Sequence, residues 1–368
     1  MTEQPSQNNQ IRLFEQKILI IKLQYVGDTI GIIPVVTRLK NHAPGLTVDV
    51  LIHQESAELI AHCVNISKVW TYDRQKAKKD LFSMITYNLS LIRKLRRERY
   101  DIVIALTQGD RAFFLSFVTG APLRLTYKTS SQLTRLMNAF APVKPGRRHF
   151  IELDADIVNY FSISSDDIQP VIHIPEAVRT QIKDRLISAI DAQGVMVVIH
   201  PGARKHIRRW KPDRYAQIAS LLHEQHRASI VLLGGYKEED LLEEIEREMG
   251  FAAAYKSCNI ALIEMAAIFS ECDLFIGNDS GPGHIAAAVG CPTLSLFGPN
   301  FPDICRPYSN SGVVIFKELP CCGCRQERHL CVRLENTCMD MIEVDEVWLE
   351  VKKMLSKFAK KDKSLQQA

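Results

Sequence analysis

The clearest chemical signal in the sequence is a small polar turn, Asn278 to His284, between two apolar runs. Leu274 to Gly277 and Thr293 to Phe297 are predicted strands, and an Ala-rich helix follows the turn, which makes a βαβ unit. Such a turn directs backbone N–H groups and a helix N-terminus toward one point, where a phosphate or diphosphate can bind. The same residues could instead be ordinary turn residues, with Ser280 as an N-cap.

Two further loops carry charged residues that suit group transfer. Asp28 follows the first predicted strand, Lys17 to Leu23, and its carboxylate could be a general base or a helix N-cap. The loop from Arg204 to Lys211 holds five Lys or Arg residues within eight positions. These cations could stabilise a diphosphate leaving group, or form a solvated basic loop. Trp210 favours the first interpretation, because so large a side chain is expected to be packed.

The elements that position these loops alternate between apolar strands and helical segments. This alternation predicts an α/β fold with parallel sheets covered on both faces. We expect two Rossmann-like domains that face a central cleft, with ligands at the carboxyl ends of the strands. The predicted division is a disordered arm (1–14), an N-terminal domain (15–170), a C-terminal domain (171–345), and a C-terminal helix and tail (346–368). Neither a Walker A pattern nor a G-x-G-x-x-G after the first strand is present, which argues against a dinucleotide dehydrogenase.

Composition narrows the class of protein. The 368 residues are 46% hydrophobic and 24% charged, with a net charge of +4, which is typical of a globular protein and too small for a nucleic-acid binder. A polar N-terminus without an apolar signal segment predicts a cytoplasmic protein. In that reducing compartment the ten cysteines are not expected to form a disulfide framework.

A cysteine cluster near the C-terminus has the spacing of a metal finger. Two, six and six residues separate the four thiols in turn, which lie at Cys321, Cys324, Cys331 and Cys338. Thiols at such spacings can bind a structural zinc or iron ion. The alternative is a set of reduced cysteines that pack a loop.

Taken together, these motifs resemble glycosyltransferase family 9, the ADP-heptose:lipopolysaccharide heptosyltransferases. The resemblance extends from about Lys17 to Val347 and rests on six segments: Gly27-Asp28 with Pro34, His200-Pro201-Gly202-Ala203, Arg209-Trp210-Lys211-Pro212, Gly234-Gly235, Asp273 to Pro282 with His284, and Leu296-Phe297-Gly298-Pro299.

The resemblance implies a GT-B architecture, whose C-terminal helix returns to the first domain, and inverting transfer without a metal or other cofactor. It implies that Asp28 is the general base and that Arg208, where many members have a lysine, contacts the donor phosphates. Glu238 would meet the ribose. The donor diphosphate loop would consist of Asp279, Ser280, Gly281, Gly283 and His284, with Gly283 in place of a larger residue, often Met.

The resemblance also implies a donor and an acceptor. These are ADP-heptose and a lipid A-type lipopolysaccharide inner-core molecule at the cytoplasmic face of the inner membrane, with no nucleic-acid partner. Basic segments at 93–99, 144–148 and 204–211 suit an anionic acceptor and peripheral membrane association. Two alternatives remain at this point, a nucleotide-sugar epimerase of the same fold and a non-catalytic nucleotide-sugar-binding protein.

Overall fold

The computed structural model describes residues 13, 15–76, 80–107, 109–144, 146–164, 168–187, 194–324 and 337–358. Most of the predicted N-terminal arm, and the predicted disordered tail at 360–368, lie outside these residues. The chain divides into two compact units, Met1–Pro170 and Val171–Ala368. Each unit has its own parallel sheet and its own apolar core.

The sheet of the first unit has the strand order β3-β2-β1-β4-β5-β6, and every pairing is parallel. Its strands are β1 (Lys17–Lys22), β2 (Thr47–His53), β3 (Lys68–Tyr72), β4 (Ile102–Ala105), β5 (Leu123–Thr126) and β6 (Ala139–Phe140). Its α-helices are α1 (Val26–Thr29), α2 (Ile32–His42), α3 (Ala57–Ala61), α4 (Leu81–Arg97), α5 (Asp110–Val118) and α6 (Phe150–Ala155). The central strands β1 and β4 read as unbroken apolar runs because helices cover both faces of such a sheet.

The sheet of the second unit has the order β12-β11-β10-β7-β8-β9, again with parallel pairings. Its strands are β7 (Met196–His200), β8 (Ser229–Gly234), β9 (Tyr255–Cys258), β10 (Leu274–Asn278), β11 (Thr293–Phe297) and β12 (Gly312–Phe316). Its α-helices are α7 (Glu176–Ile187), α8 (Pro212–His226), α9 (Glu239–Met249), α10 (Leu262–Glu271), α11 (Gly281–Ala288), α12 (Pro302–Cys305), α13 (Thr337–Asp340) and α14 (Val344–Phe358).

Both sheets follow the same doubly wound scheme. In each, the first strand of the unit lies beside the fourth, so the chain reverses its direction of travel across the sheet between β1 and β4, and between β7 and β10. Ligands of doubly wound sheets bind beyond the carboxyl ends of the strands at such a switch point. The loops after β1, β7 and β10 carry the residues that the sequence singles out.

The C-terminal helix differs from the expectation that it returns to the first domain. The apolar side of α14 is buried and packs on α8, and Val347, Trp348 and Val351 belong to the core of the second unit. The reason is local, since apolar residues recur on one face of α14 and α8 offers a matching face. Among the residues that the structure describes, no helix combines the length and the apolar character needed to span a bilayer.

Candidate active site

The first candidate residue, Asp28, lies in the short helix that follows β1. It is the third residue of α1, whose N-cap is Tyr25. Its carbonyl oxygen accepts a 3.1 Å hydrogen bond from the Gly31 N–H. Asp28 is therefore not the N-cap of this helix, and its half-buried carboxylate stands at the switch point of the first sheet.

A buried ion pair lies beside Asp28. The Nζ atom of Lys22, the last residue of β1, is 2.6 Å from Oδ2 of Asp154 in α6, and each side chain is only 3% exposed. Burial raises the pKa of Asp154 to about 6, although the Lys22 ammonium opposes this shift, and the charge of Asp28 adds to it. The end of β1 thus holds two carboxylates and one ammonium.

Cations and aromatic rings follow the neighbouring strands of the first sheet. The Arg74 guanidinium lies 5.0 Å from the centre of the Tyr25 ring, and that of Arg111 lies 5.0 Å from the centre of the Tyr72 ring. Arg74 also pairs with Glu55 at 3.3 Å. These contacts place two guanidinium groups, one of them paired with a carboxylate, in the loops and helices that follow the strands.

In the second unit, the Asn278 side chain joins two loops. Its Oδ1 accepts a 3.0 Å hydrogen bond from the Trp210 N–H, and its Nδ2 donates to the Pro201 carbonyl at 2.7 Å. Trp210 is fully buried and donates through Nε1 to the Ile342 carbonyl at 2.8 Å. The basic loop is consequently anchored at both of its ends, as expected for a loop that holds a ligand and not for a freely solvated one.

Arg208 and Asp279, both predicted donor-site residues, contact each other. Nη1 of Arg208 is 3.0 Å from Oδ2 of the buried Asp279, and Nδ2 of Asn300 donates to the same oxygen at 2.6 Å. The loops after β7, β10 and β11 therefore meet at one carboxylate. Asp279 orients the guanidinium, which is partly exposed.

Glu238 holds two loops of the second unit together. Its Oε1 is 2.8 Å from Nη2 of Arg209, and its Oε2 accepts a 2.8 Å bond from the Gly235 N–H. A Cβ on Gly202 would stand 1.9 Å from Oε2, so only glycine fits beneath this carboxylate. A contact between Glu238 and a ribose stays a prediction.

The predicted diphosphate turn follows β10 as expected. Ser280 is the N-cap of α11 by its extended backbone but makes no side-chain capping bond, and its buried Oγ has no hydrogen-bond partner among the described residues. Capping therefore does not explain the presence of Ser280.

The same turn ends at His284, whose ring is buried. Burial lowers the pKa of His284 to about 4, so the ring is neutral near pH 7. A Cβ on Gly283 would stand 3.1 Å from the Pro307 ring, a tight contact for any larger residue at this position.

The cysteine cluster is only partly described, because Cys331 lies outside the described residues. Cys321 and Cys324 are half-buried, and Cys338 is buried. Within the described ranges, no three His, Cys, Asp or Glu side chains are grouped as metal ligands. The choice between a metal site and packed thiols stays a prediction.

Sequence reasoning singled out Asp28, Arg208 and Asp279 as candidates but not the polar side chains that lie around them. Lys22 reads only as the charged end of a strand, and Asp154 lies 132 residues further along the chain. Asn278 and Asn300 follow strands of the second sheet, and that position is the signal that could have identified them.

The two doubly wound sheets, with their polar loops at the carboxyl ends, define a protein of the GT-B class, the glycosyltransferases with two Rossmann-like domains. The profile of glycosyltransferase family 9 (heptosyltransferase) matches residues 88–332. The chain belongs to this family and is a glycosyltransferase.

Individual relatives agree with this assignment. Lipopolysaccharide heptosyltransferase 3 of Escherichia coli is 26% identical over 309 residues, which cover 81% of this chain and 89% of that protein. A crystal structure of a glycosyltransferase of family 9 from Veillonella parvula superposes with a TM-score of 0.81 at 20% identity, covering 94% of this chain and 99% of that one. For E. coli heptosyltransferase WaaC with ADP the TM-score is 0.72 at 15% identity, with 92% and 99% coverage.

Proposed function

We propose that the protein transfers heptose from ADP-heptose to a lipopolysaccharide inner-core acceptor, with inversion and with Asp28 as general base. The observation that carries this proposal is the anchored Arg208–Asp279–Asn300 cluster beside the N-terminus of α11, an arrangement suited to a diphosphate. The names of the curated relatives, lipopolysaccharide and lipooligosaccharide heptosyltransferases, support the sugar and the acceptor. Solved structures of E. coli WaaC contain ADP or ADP-2-deoxy-2-fluoro heptose, which supports the donor.

In the proposed reaction, Asp28 accepts the proton of an acceptor hydroxyl as its oxygen attacks the anomeric carbon of heptose. The new bond forms on the face opposite the diphosphate, the bond from the anomeric carbon to the diphosphate oxygen breaks, and ADP leaves with that electron pair. Arg208 and the N–H groups of Ser280 and Gly281 would stabilise the charge that develops on ADP. The neutral His284 would act as a hydrogen-bonding group and not as a cation.

The first unit offers a surface for an acidic, lipid-linked acceptor. Phe82, Ile85 and Leu89 are exposed along one side of α4, and the exposed Arg93 and Arg96 continue that stripe. Apolar side chains followed by cations fit an anionic lipid surface. We expect co-sedimentation with vesicles that contain an anionic phospholipid and loss of it in the Phe82→Ser, Leu89→Ser double variant. Equal sedimentation of both proteins would contradict this surface.

The central test replaces the base. Asp28→Ala and Asp28→Asn are expected to lower turnover of ADP-heptose with acceptor by about 10²- to 10⁴-fold, as for loss of a general base. Binding of ADP, measured by calorimetry, should change little, because Asp28 lies in the other unit from the proposed diphosphate site. Near-normal turnover in either variant would exclude Asp28 as the base. Release of ADP from the wild type without acceptor would favour epimerase-like chemistry.

The transfer is proposed to need no metal, because Arg208 and the α11 N-terminus supply positive charge where the diphosphate would lie. Turnover should persist in EDTA, and a loss of turnover that one divalent ion restores would contradict this.

The cysteine cluster raises a separate question, whether a structural metal is bound there. E. coli TibC, a structural neighbour with a TM-score of 0.55, is described as an iron-containing glycosyltransferase. Elemental analysis of protein purified without chelator decides whether these thiols hold zinc or iron.

A further inference from the structure

The mechanism above leaves the buried Lys22–Asp154 pair without a role. Ordinary surface pairs are exposed, but here both groups are almost completely removed from water at 2.6 Å separation. Burying two charges is costly, and a pair of this kind adds little net stability over apolar residues of similar size. Its position at the switch point, where Asp28 stands, points to a role in the reaction.

The Asp154 carboxylate lies against the turn that carries Asp28. A Cβ on Gly31 would stand 2.6 Å from Oδ2 of Asp154 and 3.2 Å from the carbonyl oxygen of Asp28. The Gly31 N–H donates to that same carbonyl oxygen. The backbone that orients Asp28 is therefore in direct contact with the buried pair.

We propose that Lys22 and Asp154 are positioning residues for Asp28, which hold the turn that carries it and balance the charge beside it. This inference rests on the proposed function, in which Asp28 is the general base. Lys22 favours the ionised form of Asp28, and Asp154 disfavours it, because opposite and like charges act in opposite directions. Together they let Asp28 be ionised and still basic enough to accept a proton.

Within the described part of the chain, three titratable groups from other elements interact electrostatically with Asp154. They are Lys22 from β1, Asp28 from α1, and Tyr127 after β5. The Tyr127 hydroxyl donates to the Asp154 carbonyl at 3.1 Å, not to its carboxylate. On the same stretch of chain, the buried Asp156 pairs with Arg148.

The test measures the pH dependence of kcat/KM, with ADP-heptose and acceptor, in three variants. The acid limb is the part of this profile in which kcat/KM falls as the pH is lowered. Asp154→Asn is expected to move the midpoint of the acid limb about 1 pH unit lower, and Lys22→Met about 1 unit higher. The Lys22→Met, Asp154→Asn double variant removes one charge of each sign, so its limb should lie between the two. The charge of Asp28 acts on Asp154, so the limb is expected to report both carboxylates. Affinity for ADP should stay within about twofold throughout, because the charges changed lie in the other unit.

Asp156→Asn is the matched control, since it removes a carboxylate that is equally buried but is paired with Arg148. It should leave the acid limb in place even if it lowers the unfolding temperature. If Lys22→Met does not fold, Lys22→Arg serves instead and should keep the wild-type limb. Limbs that do not move, or move in the same direction, would overturn the positioning role. If Asp28→Ala is inactive in the same assay, that result leaves the proposed function intact, whereas an active Asp28→Ala removes the function itself.

Discussion

In each unit a charged pair with a carboxylate above a glycine lies against the loop after the first strand, and these two pairs differ in burial. In the first unit the pair is Lys22–Asp154, with both side chains 3% exposed. In the second it is Arg209–Glu238, with side chains 28% and 11% exposed. In both units a glycine makes room for the carboxylate, Gly31 beneath Asp154 and Gly202 beneath Glu238.

The difference in burial separates two kinds of chemistry. A pair sealed from water acts through a low dielectric, so it affects the proton affinity of a neighbour strongly. The second pair is more exposed to solvent. Its cation is the Arg209 guanidinium, whose Nε also donates to the Ala203 carbonyl at 2.8 Å. It braces a loop that carries five Lys or Arg residues. We infer that the first switch point is built for proton transfer and the second for diphosphate binding.

Among the variants that test this comparison, the largest effect is expected from Arg208 in the second unit. Arg208→Ala should lower kcat/KM for ADP-heptose about 100-fold, because it removes a charged donor from the leaving group. Arg208→Lys keeps the charge without the planar fork, so it should lose less. Lys211→Ala is the control, as this lysine lies in the same loop but pairs with Asp340 and is mostly exposed. Equal losses in Arg208→Ala and Lys211→Ala would show that the loop acts only through its overall charge.

A smaller effect is expected from Gly202→Ala, which adds a methyl group next to the Arg209–Glu238 pair. In Gly202→Ala the new Cβ would stand 1.9 Å from Oε2 of Glu238, so the carboxylate must leave Arg209 or the backbone must shift. Such overpacking should lower the free energy of unfolding by about 1–3 kcal/mol. Donor affinity should fall roughly tenfold as the loop loses its brace, while kcat changes less, as for loss of uniform binding.

The Glu238→Ala background is the control for Gly202→Ala. With the carboxylate gone, the added methyl group has room, so the second substitution should cost little in denaturant unfolding. If the two costs are simply additive, contact with Glu238 is not the reason for glycine at this position.

Most interior strands of the two sheets were predictable, while the edge strands β6, β9 and β12 were not. Long apolar runs indicated β1, β4, β7, β8, β10 and β11, which are buried on both faces. The short strand β6 and the half-exposed strand β9 lack such runs, and β12 is half-exposed although its residues are apolar. Their pairing depends on a neighbouring strand that is already in place, and a local pattern does not record this.

The site divides in the same way. Asp28, Arg208 and Asp279 could be named because each follows a strand, and loops after parallel strands converge. The partner of Lys22 could not be named, because only the packing of α6 on α2 brings Asp154 to the end of β1. The α14 helix shows the same limit, since its periodicity predicts an apolar face but does not say which unit buries it.

The smallest effect is expected from Gly31→Ala, which crowds the first pair. Gly31 has a φ of −59°, so alanine suits the backbone, but its Cβ would stand 2.6 Å from Oδ2 of Asp154. A shift of a few tenths of an ångström in that carboxylate should lower kcat about threefold, well below the roughly 100-fold cost of a 1 Å misplacement. Gly45→Ala is the control, because its nearest atom would be 3.7 Å away.

The parameter that changes matters more here than the size of the change. If Gly31→Ala lowers kcat with donor KM unchanged, and Gly202→Ala raises donor KM with kcat nearly unchanged, the two pairs support different steps. If both variants change the same parameter, the buried pair and the half-exposed pair support the same step of the reaction. The distinction between a proton-transfer unit and a diphosphate unit would then fail, even though each glycine still makes room for a carboxylate.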